Sequence, residues 1–337
     1  MQKKLLTMAV AGALAAPVAA FAQVTVFGTI DGGVRNQSKV VVGAGDESVL
    51  TVSDQIRTTN RWGIRGSEDL GGGLKANFWL EGNYLQGESG EGLDGFDRKG
   101  IVGLSSGNWS VDIGRDYTVN FKANGIMDPF SFTYTGITTT AGATFTAGTR
   151  SNDLITAGFR FGTGGIRIDY AMGEQPDPAA AANDRVGFMG DFKVGPVTIA
   201  AAFSTQETAV NTDTTWMNVG AAYSMGAFTI RGGVNTREID NGNEDMQWML
   251  GLQYAISPTL NGRLGYYNWS TDNNAGTEVA TRKTFLAALD YYLSKRTTLY
   301  VALDRHDLEG TQIGTSITGF AVNDGSTGIS AGVVHTF

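Results

Sequence analysis

From residue 23 onward apolar and polar residues alternate with a period of two along most of the chain, a strand signal. Sixteen segments carry it: 23–36, 56–67, 73–85, 96–105, 108–115, 150–161, 165–173, 184–193, 196–205, 215–225, 227–237, 245–256, 260–270, 282–293, 297–307 and 325–337. One parity is apolar in each, as in Ile155, Ala157, Phe159 and Phe161, or Leu299, Val301 and Leu303. The other parity is polar or charged, with Arg57, Arg61, Arg65, Lys75, Glu81, Asp112, Arg150, Asp169, Arg231, Asp290 and Asp304 among its members. Strands of soluble domains run to about 5–6 residues, whereas about 9–11 tilted residues cross a bilayer. These segments match the second length.

The connections alternate as well. Gly71-Gly72, Ser106-Gly107, Gly195, Gly226 and Ser257-Pro258 are tight turns, while 37–55, 87–95, 174–183 and 308–324 are long and polar. Short turns on one side and long loops on the other are the geometry of outer-membrane barrels. The last segment, GISAGVVHTF, puts Ile329, Ala331, Val333, His335 and Phe337 on one face and ends on an aromatic residue. An unpaired apolar edge there would invite aggregation, so it is expected to pair with the first strand and close a barrel, with Phe337 at the closure. At the other end, Lys3 and Lys4 precede an apolar stretch from Leu5 to Ala16 and then Ala20-Phe21-Ala22. That order reads as a signal peptide, 1–22, cut before a mature barrel of 23–337. The apolar stretch is too short for a spanning helix, which needs about 20 residues. The fold class expected is all-β: a transmembrane antiparallel β-barrel of sixteen strands.

Composition adds limits. There are 47 glycines and no cysteine, and Pro129, Pro176, Pro178, Pro196 and Pro258 avoid the interiors of the strand segments. That placement suits a chain dominated by backbone ladders. Without Lys3 and Lys4, 23 Lys+Arg stand against 33 Asp+Glu, a net charge of −10. Only two histidines, His306 and His335, are present. No nucleophile, base and orienting group come together in the pattern, so no enzyme activity, no catalytic residue and no cofactor is expected. No metal site is expected either. Acidic loops such as Asp46-Glu47 are read as solvated rather than Ca²⁺-binding. No nucleic-acid partner is implied.

Asn60–Asn83 (NRWGIRGSEDLGGGLKANFWLEGN), QVTVFGTIDGGV from Gln23, GLSSGNWSVDIGR at Gly103–Arg115 and the His two before the final Phe resemble Gram-negative general porins of the β-proteobacterial and neisserial branch. The resemblance implies trimeric, sixteen-stranded, water-filled channels of the outer membrane, set in its lipid and lipopolysaccharide, with a long third loop folded into the pore. That loop is expected at about 116–149, the longest stretch without alternation. The resemblance places a basic wall opposite it: Arg61, Arg98 and Arg150, with Arg57 and Arg65 on the strand of Arg61. Glu81, Asp128 and Asp116 are the acids expected near the constriction. Parity supports Arg61, Glu81 and Arg150 as inward, but Arg98 shares parity with outward Val102 and Leu104, so its placement rests on the resemblance or on a bulge. Small residues near the chain ends, Gly28, Gly328 and Ala331, are expected outside, where protomers of a homotrimer would meet.

The function expected is passive diffusion of ions and small hydrophilic solutes, with a mild preference for inorganic anions set by the constriction rather than by the acidic loops. The alternative is a substrate-specific channel or a loop-mediated adhesin. A specific sugar channel needs a ladder of lumenal aromatics, and Phe27, Trp79, Tyr267, Tyr292 and Tyr300 are scattered.

Overall fold

A computed structural model describes residues 23–84, 95–138, 143–173, 184–209, 212–312, 315–317 and 319–337. Residues 1–22, where the signal peptide is expected, lie outside the described residues, as do the loop acids Glu88, Glu91, Asp94, Glu174 and Asp177. The chain forms β1 (Gln23–Val42), β2 (Gly45–Asp54), β3 (Arg61–Gly71), β4 (Leu74–Asn83), β5 (Lys99–Ser106) and β6 (Trp109–Tyr117). Two helices follow, α1 (Val119–Met127) and α2 (Ala143–Thr146). Next come β7 (Arg150–Phe161), β8 (Gly164–Ala171), β9 (Arg185–Val194), β10 (Val197–Ala209), β11 (Thr212–Met225) and β12 (Phe228–Ile239). The remainder is β13 (Glu244–Ser257), β14 (Leu260–Asp272), β15 (Glu278–Tyr292), β16 (Thr297–Gly310), the short β17 (Ser316–Ile317) and β18 (Phe320–Ala321), and β19 (Gly325–Thr336).

Each wall strand pairs antiparallel with the next, and β1 pairs with β19 from Thr29↔Thr336 to Gln37↔Gly328, so the sheet closes on itself. β2 and β3 both lie along one edge of β1 and together make a single stave. Seventeen wall strands therefore form a barrel of sixteen staves. Phe337 fastens the seam: its N–H donates to the Gly28 carbonyl at 3.0 Å, and the Gly28 N–H donates to its carbonyl at 3.2 Å. Its ring covers Gly28, where any Cβ would collide with it.

The distribution of polarity is the reverse of a soluble domain. Val26, Val102, Ile166, Phe192, Leu250 and Val301 are exposed on the outside, while Asp31, Arg35, Asn218, Gln247, Asp290 and Asp304 are buried inside. Such an arrangement is stable where the outer face meets hydrocarbon. Outward aromatics gather at two levels. Trp109, Phe161, Phe192, Phe228, Tyr254 and Tyr291 sit beside the short turns, and Tyr170, Phe188, Phe203, Trp248 and Phe285 stand further along their strands. Tyr254 and Trp248 are six residues apart on β13, about 20 Å at 3.4 Å per residue, close to the ~25 Å apolar band of such barrels.

Three expectations need correction. The strand expected over 56–67 is broken: Gln55 takes a φ of 56°, and residues 55–60 leave the ladder before β3 resumes at Arg61. The cause is Asp31, whose Oδ2 accepts from the N–H of Arg57 at 2.6 Å and of Thr58 at 2.8 Å. The loop expected over 37–55 is largely sheet, because β1 and β2 continue as a hairpin. Gly328 faces inward, where a Cβ would strike the Arg35 guanidinium, and Gly28 is covered by Phe337, so neither offers a bare outer patch.

Candidate functional site

The segment expected at about 116–149 packs against the inner wall. Thr118 caps α1, its hydroxyl accepting from the Phe121 N–H at 3.1 Å. The N–H of Val119 at the helix start, which has no partner within the helix, donates to Asp169 Oδ2 on β8 at 2.8 Å, a carboxylate placed where the helix dipole favours one. From Asn120 a chain of side-chain amides crosses the wall, one residue per strand. Asn120 donates to Asn218 on β11 at 2.7 Å, Asn218 to Asn235 on β12 at 2.9 Å, and Asn235 to Gln247 on β13 at 3.0 Å. Such fully bonded buried networks rigidify what they join. No helix was expected here, because α1 buries Val119, Asn120, Ala123, Asn124 and Met127, so its inner face does not read as an apolar stripe.

The inner wall makes room with glycine. Side chains at Gly220 and Gly233 would collide with Met127, at Gly251 with Pro129, and at Gly265 with Phe130. We expect Gly251→Leu to push Pro129 off the wall and to raise single-channel conductance, and, because its Cβ also meets the Leu264 carbonyl of the neighbouring strand, to lower the barrel's heat resistance in detergent somewhat. Unchanged conductance would show that the segment does not depend on this seat.

Beyond α1 the chain turns sharply. Ser131, Phe132 and Tyr134 have φ values of 51°, 59° and 62°, a region that side-chain-bearing residues enter only when held there. Asp128 holds the first two: its carbonyl accepts from the Ser131 N–H at 3.0 Å, its Oδ1 from the N–H of Phe130 at 2.9 Å and of Phe132 at 3.0 Å, and its Oδ2 from the Tyr267 hydroxyl at 3.1 Å. Tyr134 is held by its N–H to the Arg57 carbonyl at 2.6 Å and its hydroxyl to Asp290 Oδ1 at 3.0 Å. Burial, and Asp290 next to it, raise the Tyr134 hydroxyl's pKa, so it remains a donor. Asp290 also accepts from Arg57 Nε at 2.7 Å and lies 3.2 Å from Arg263 Nε, while Arg263 donates to the Phe130 carbonyl and the Thr133 hydroxyl.

Between this segment and the wall of β1, β3 and β4 lies a cavity of about 1040 Å³. Arg61, Arg65, Glu81, Arg98 and Arg150 all border it, together with Arg296 from the turn after β15. Arg98 reaches it from just ahead of β5, where strand alternation does not yet apply. Glu81 stands opposite Lys99 in the ladder, and its carbonyl accepts the Arg98 N–H at 3.0 Å. Arg98 then donates to Glu81 Oε1 at 2.7 Å, Asn83 Oδ1 at 3.0 Å and the Tyr117 hydroxyl at 3.1 Å. The same hydroxyl accepts from Arg150 at 2.8 Å, and the Arg150 guanidinium lies 4.4 Å from the Tyr117 ring centre. Arg65 stacks 4.8 Å from Trp79 and 5.3 Å from Phe27. Opposite stand Phe121 and Phe132, themselves stacked at 4.1 Å, with Ser131, Thr133 and Thr135.

Three expected residues are elsewhere. Arg57 anchors the inner segment through Asp290. Asp128 is fully buried beneath the turn it holds. Asp116 is buried between Lys99 and Lys122, 3.0 Å from each; burial draws the Lys122 ammonium below its ordinary range and Asp116 opposes that. The acids of the segment therefore neutralise its own anchors, and five arginines and one acid border the cavity. Tyr117 and Arg296 had no mark in the sequence; each ends or links strands, where alternation is silent.

Residues 7–311 match the family model described as Gram-negative porin. The chain belongs to the Gram-negative porin family. This porin is 31% identical over 368 residues, the whole of both chains, to outer membrane porin protein 32 of Delftia acidovorans. It is 35% identical to the major outer membrane protein P.IB of Neisseria meningitidis over 133 residues, 39% of this chain and 38% of that one. Among solved structures it superposes with a TM-score of 0.79 and 28% identity on an anion-selective porin from Comamonas acidovorans, covering 94% of this chain and 100% of that one. A Salmonella typhi porin, at 15% identity and a TM-score of 0.69, shares the fold. The porin is thus a barrel of the Gram-negative outer membrane.

Proposed function

We propose that this porin is a general diffusion channel for ions and small hydrophilic solutes, narrowed by the 116–149 segment and mildly selective for anions. The observation that carries the reading is the cavity border: Arg61, Arg65, Arg98, Arg150 and Arg296 against Glu81, which is already committed to Arg98. A narrow aqueous passage with surplus fixed cations lowers the energy of an anion and raises that of a cation. The similar structure from Comamonas is titled anion-selective, which agrees. The inner aromatics favour a general pore over a sugar-specific one. Tyr267 and Tyr300 spend their hydroxyls on Asp128 and Asp31, and Phe27 and Trp79 pack under Arg65, so these four do not line up as a ladder for a sugar. The working unit in this reading is a homotrimer, exported through a cleaved signal peptide of residues 1–22.

In planar bilayers under a KCl gradient, the reversal potential is expected to take the sign of chloride preference. Liposome swelling is expected to slow smoothly with solute size. A potassium-selective channel, or one saturable solute standing far above its size class, would refute the respective half of the reading.

A further inference from the structure

β15 carries an inward-facing arginine that the cavity does not use. Arg282 is 9% exposed, and among the described residues no hydrogen bond or ion pair reaches its guanidinium; its Nε is buried without a partner. The nearby acids are already occupied. Asp304 on β16 accepts from Arg35 Nη1 at 2.7 Å and Nη2 at 2.9 Å, with His306 Nε2 at 3.2 Å. Asp245 on β13 takes Arg237, the Trp269 indole at 2.8 Å and the Thr271 hydroxyl at 2.6 Å. Trp269 and Leu308 are Arg282's neighbours across the two ladders, and His306 turns its other nitrogen to Thr284 at 3.0 Å.

A guanidinium offers five donors, and burying one without a counter-charge is unfavourable. Every other deeply buried arginine of the inner wall has its acid: Arg35 has Asp304 and Arg185 has Asp169. We propose that Arg282 binds a small anion, a halide or the phosphate or carboxylate group of a solute, at a station in the outer part of the lumen. It lies eight residues along β15 from Asp290, the anchor beneath the inner segment, or about 27 Å of strand, so it is separate from the basic cavity. The inference deepens the anion-pore reading and rests on it for the route by which the ion arrives.

Chloride line broadening by NMR on the purified detergent-solubilised porin tests it, with inorganic phosphate as competitor. A phosphate-displaceable component is expected in the wild type and in the Arg61→Ala/Arg150→Ala double variant, where the cavity is weakened but Arg282 remains. Arg282→Met added to that double variant is expected to lose most of the component, and Arg282→Lys in the same background to keep it. Conductance at about 0.1 M KCl is expected to fall about twofold in Arg282→Met, because the Debye length there is about 10 Å and the charge is felt across the lumen. Absence of a displaceable component in the double variant would overturn the proposal even if Arg282→Met failed to assemble. So would an Arg61→Ala/Arg150→Ala/Arg282→Met barrel that broadens chloride as the double variant does. A potassium-selective reversal potential of the wild type would instead overturn the anion-pore reading and leave the binding result to be read alone.

Discussion

Asp290→Asn is expected to loosen the inner segment and, at the same time, to sharpen chloride preference. Asp290 accepts from Arg57 and from the Tyr134 hydroxyl and is ion-paired with Arg263, and it is fully buried. Removing one member of a buried charge network while leaving its partners costs about 3–5 kcal/mol, since the abandoned charges remain desolvated. Here two arginines would be abandoned. The barrel itself should persist, because its ladders do not pass through this side chain. The loss falls on the turn at Phe130–Tyr134, whose left-handed residues need their tethers. Amide exchange at Tyr134, which donates to the Arg57 carbonyl, is therefore expected to rise by two orders of magnitude or more at about 1.4 kcal/mol per decade. Exchange at β13–β15 should stay as it was. Released Arg57 and Arg263 add positive charge to the lumen, so the reversal potential should move further toward chloride. Slow exchange at Tyr134 with unaltered selectivity would show that Asp290 does not hold the segment.

The sixteen staves were legible because one physical requirement, apolar outward and polar inward, repeats at every second residue for the length of each strand. It fails where a tertiary contact outranks it. At residues 55–60 the Asp31 carboxylate takes the N–H groups of Arg57 and Thr58, and the Arg57 carbonyl accepts from Tyr134, so the stave opens to receive a segment far away in sequence. α1 was silent for a related reason: its buried face mixes Asn120 and Asn124 with Val119, Ala123 and Met127, and the wall it meets mixes amides and glycines with Met189, Ala200 and Ala202. Gly220, Gly233, Gly251 and Gly265 look like ordinary strand glycines until Met127, Pro129 and Phe130 occupy the space above them. Of the candidate site, parity located Arg61, Glu81 and Arg150, but Arg98 stands just before β5, outside the alternation. Parity also put Arg57 inward while giving no hint that Asp290 would claim it. Direction is a local property and pairing is not.

Charge at the cavity, rather than the acidic total of the chain, is expected to set ion preference. One unit charge 5 Å from a permeating ion is worth about 0.8 kcal/mol in water-like dielectric. Screening over a Debye length of about 8 Å at physiological salt halves that, roughly. The sign is opposite for potassium and chloride, so removing one open arginine should change their permeability ratio about fourfold, at ~1.4 kcal/mol per decade. Arg61→Ala and Arg150→Ala should each lower chloride preference by that factor, and Arg61→Glu with Arg150→Glu should turn the channel potassium-selective. Arg98→Ala belongs to another class, because it strips Glu81 of its partner at 2.7 Å and is expected to impair assembly as well as selectivity. Asp46→Asn with Glu47→Gln, on the exposed outer hairpin of β2, serves as the control. Those charges stand more than one Debye length from the cavity and should leave the ratio unchanged. A reversal potential that follows Asp46 and Glu47 but ignores Arg61 and Arg150 would place selectivity in the loops and end the case for the arginine wall.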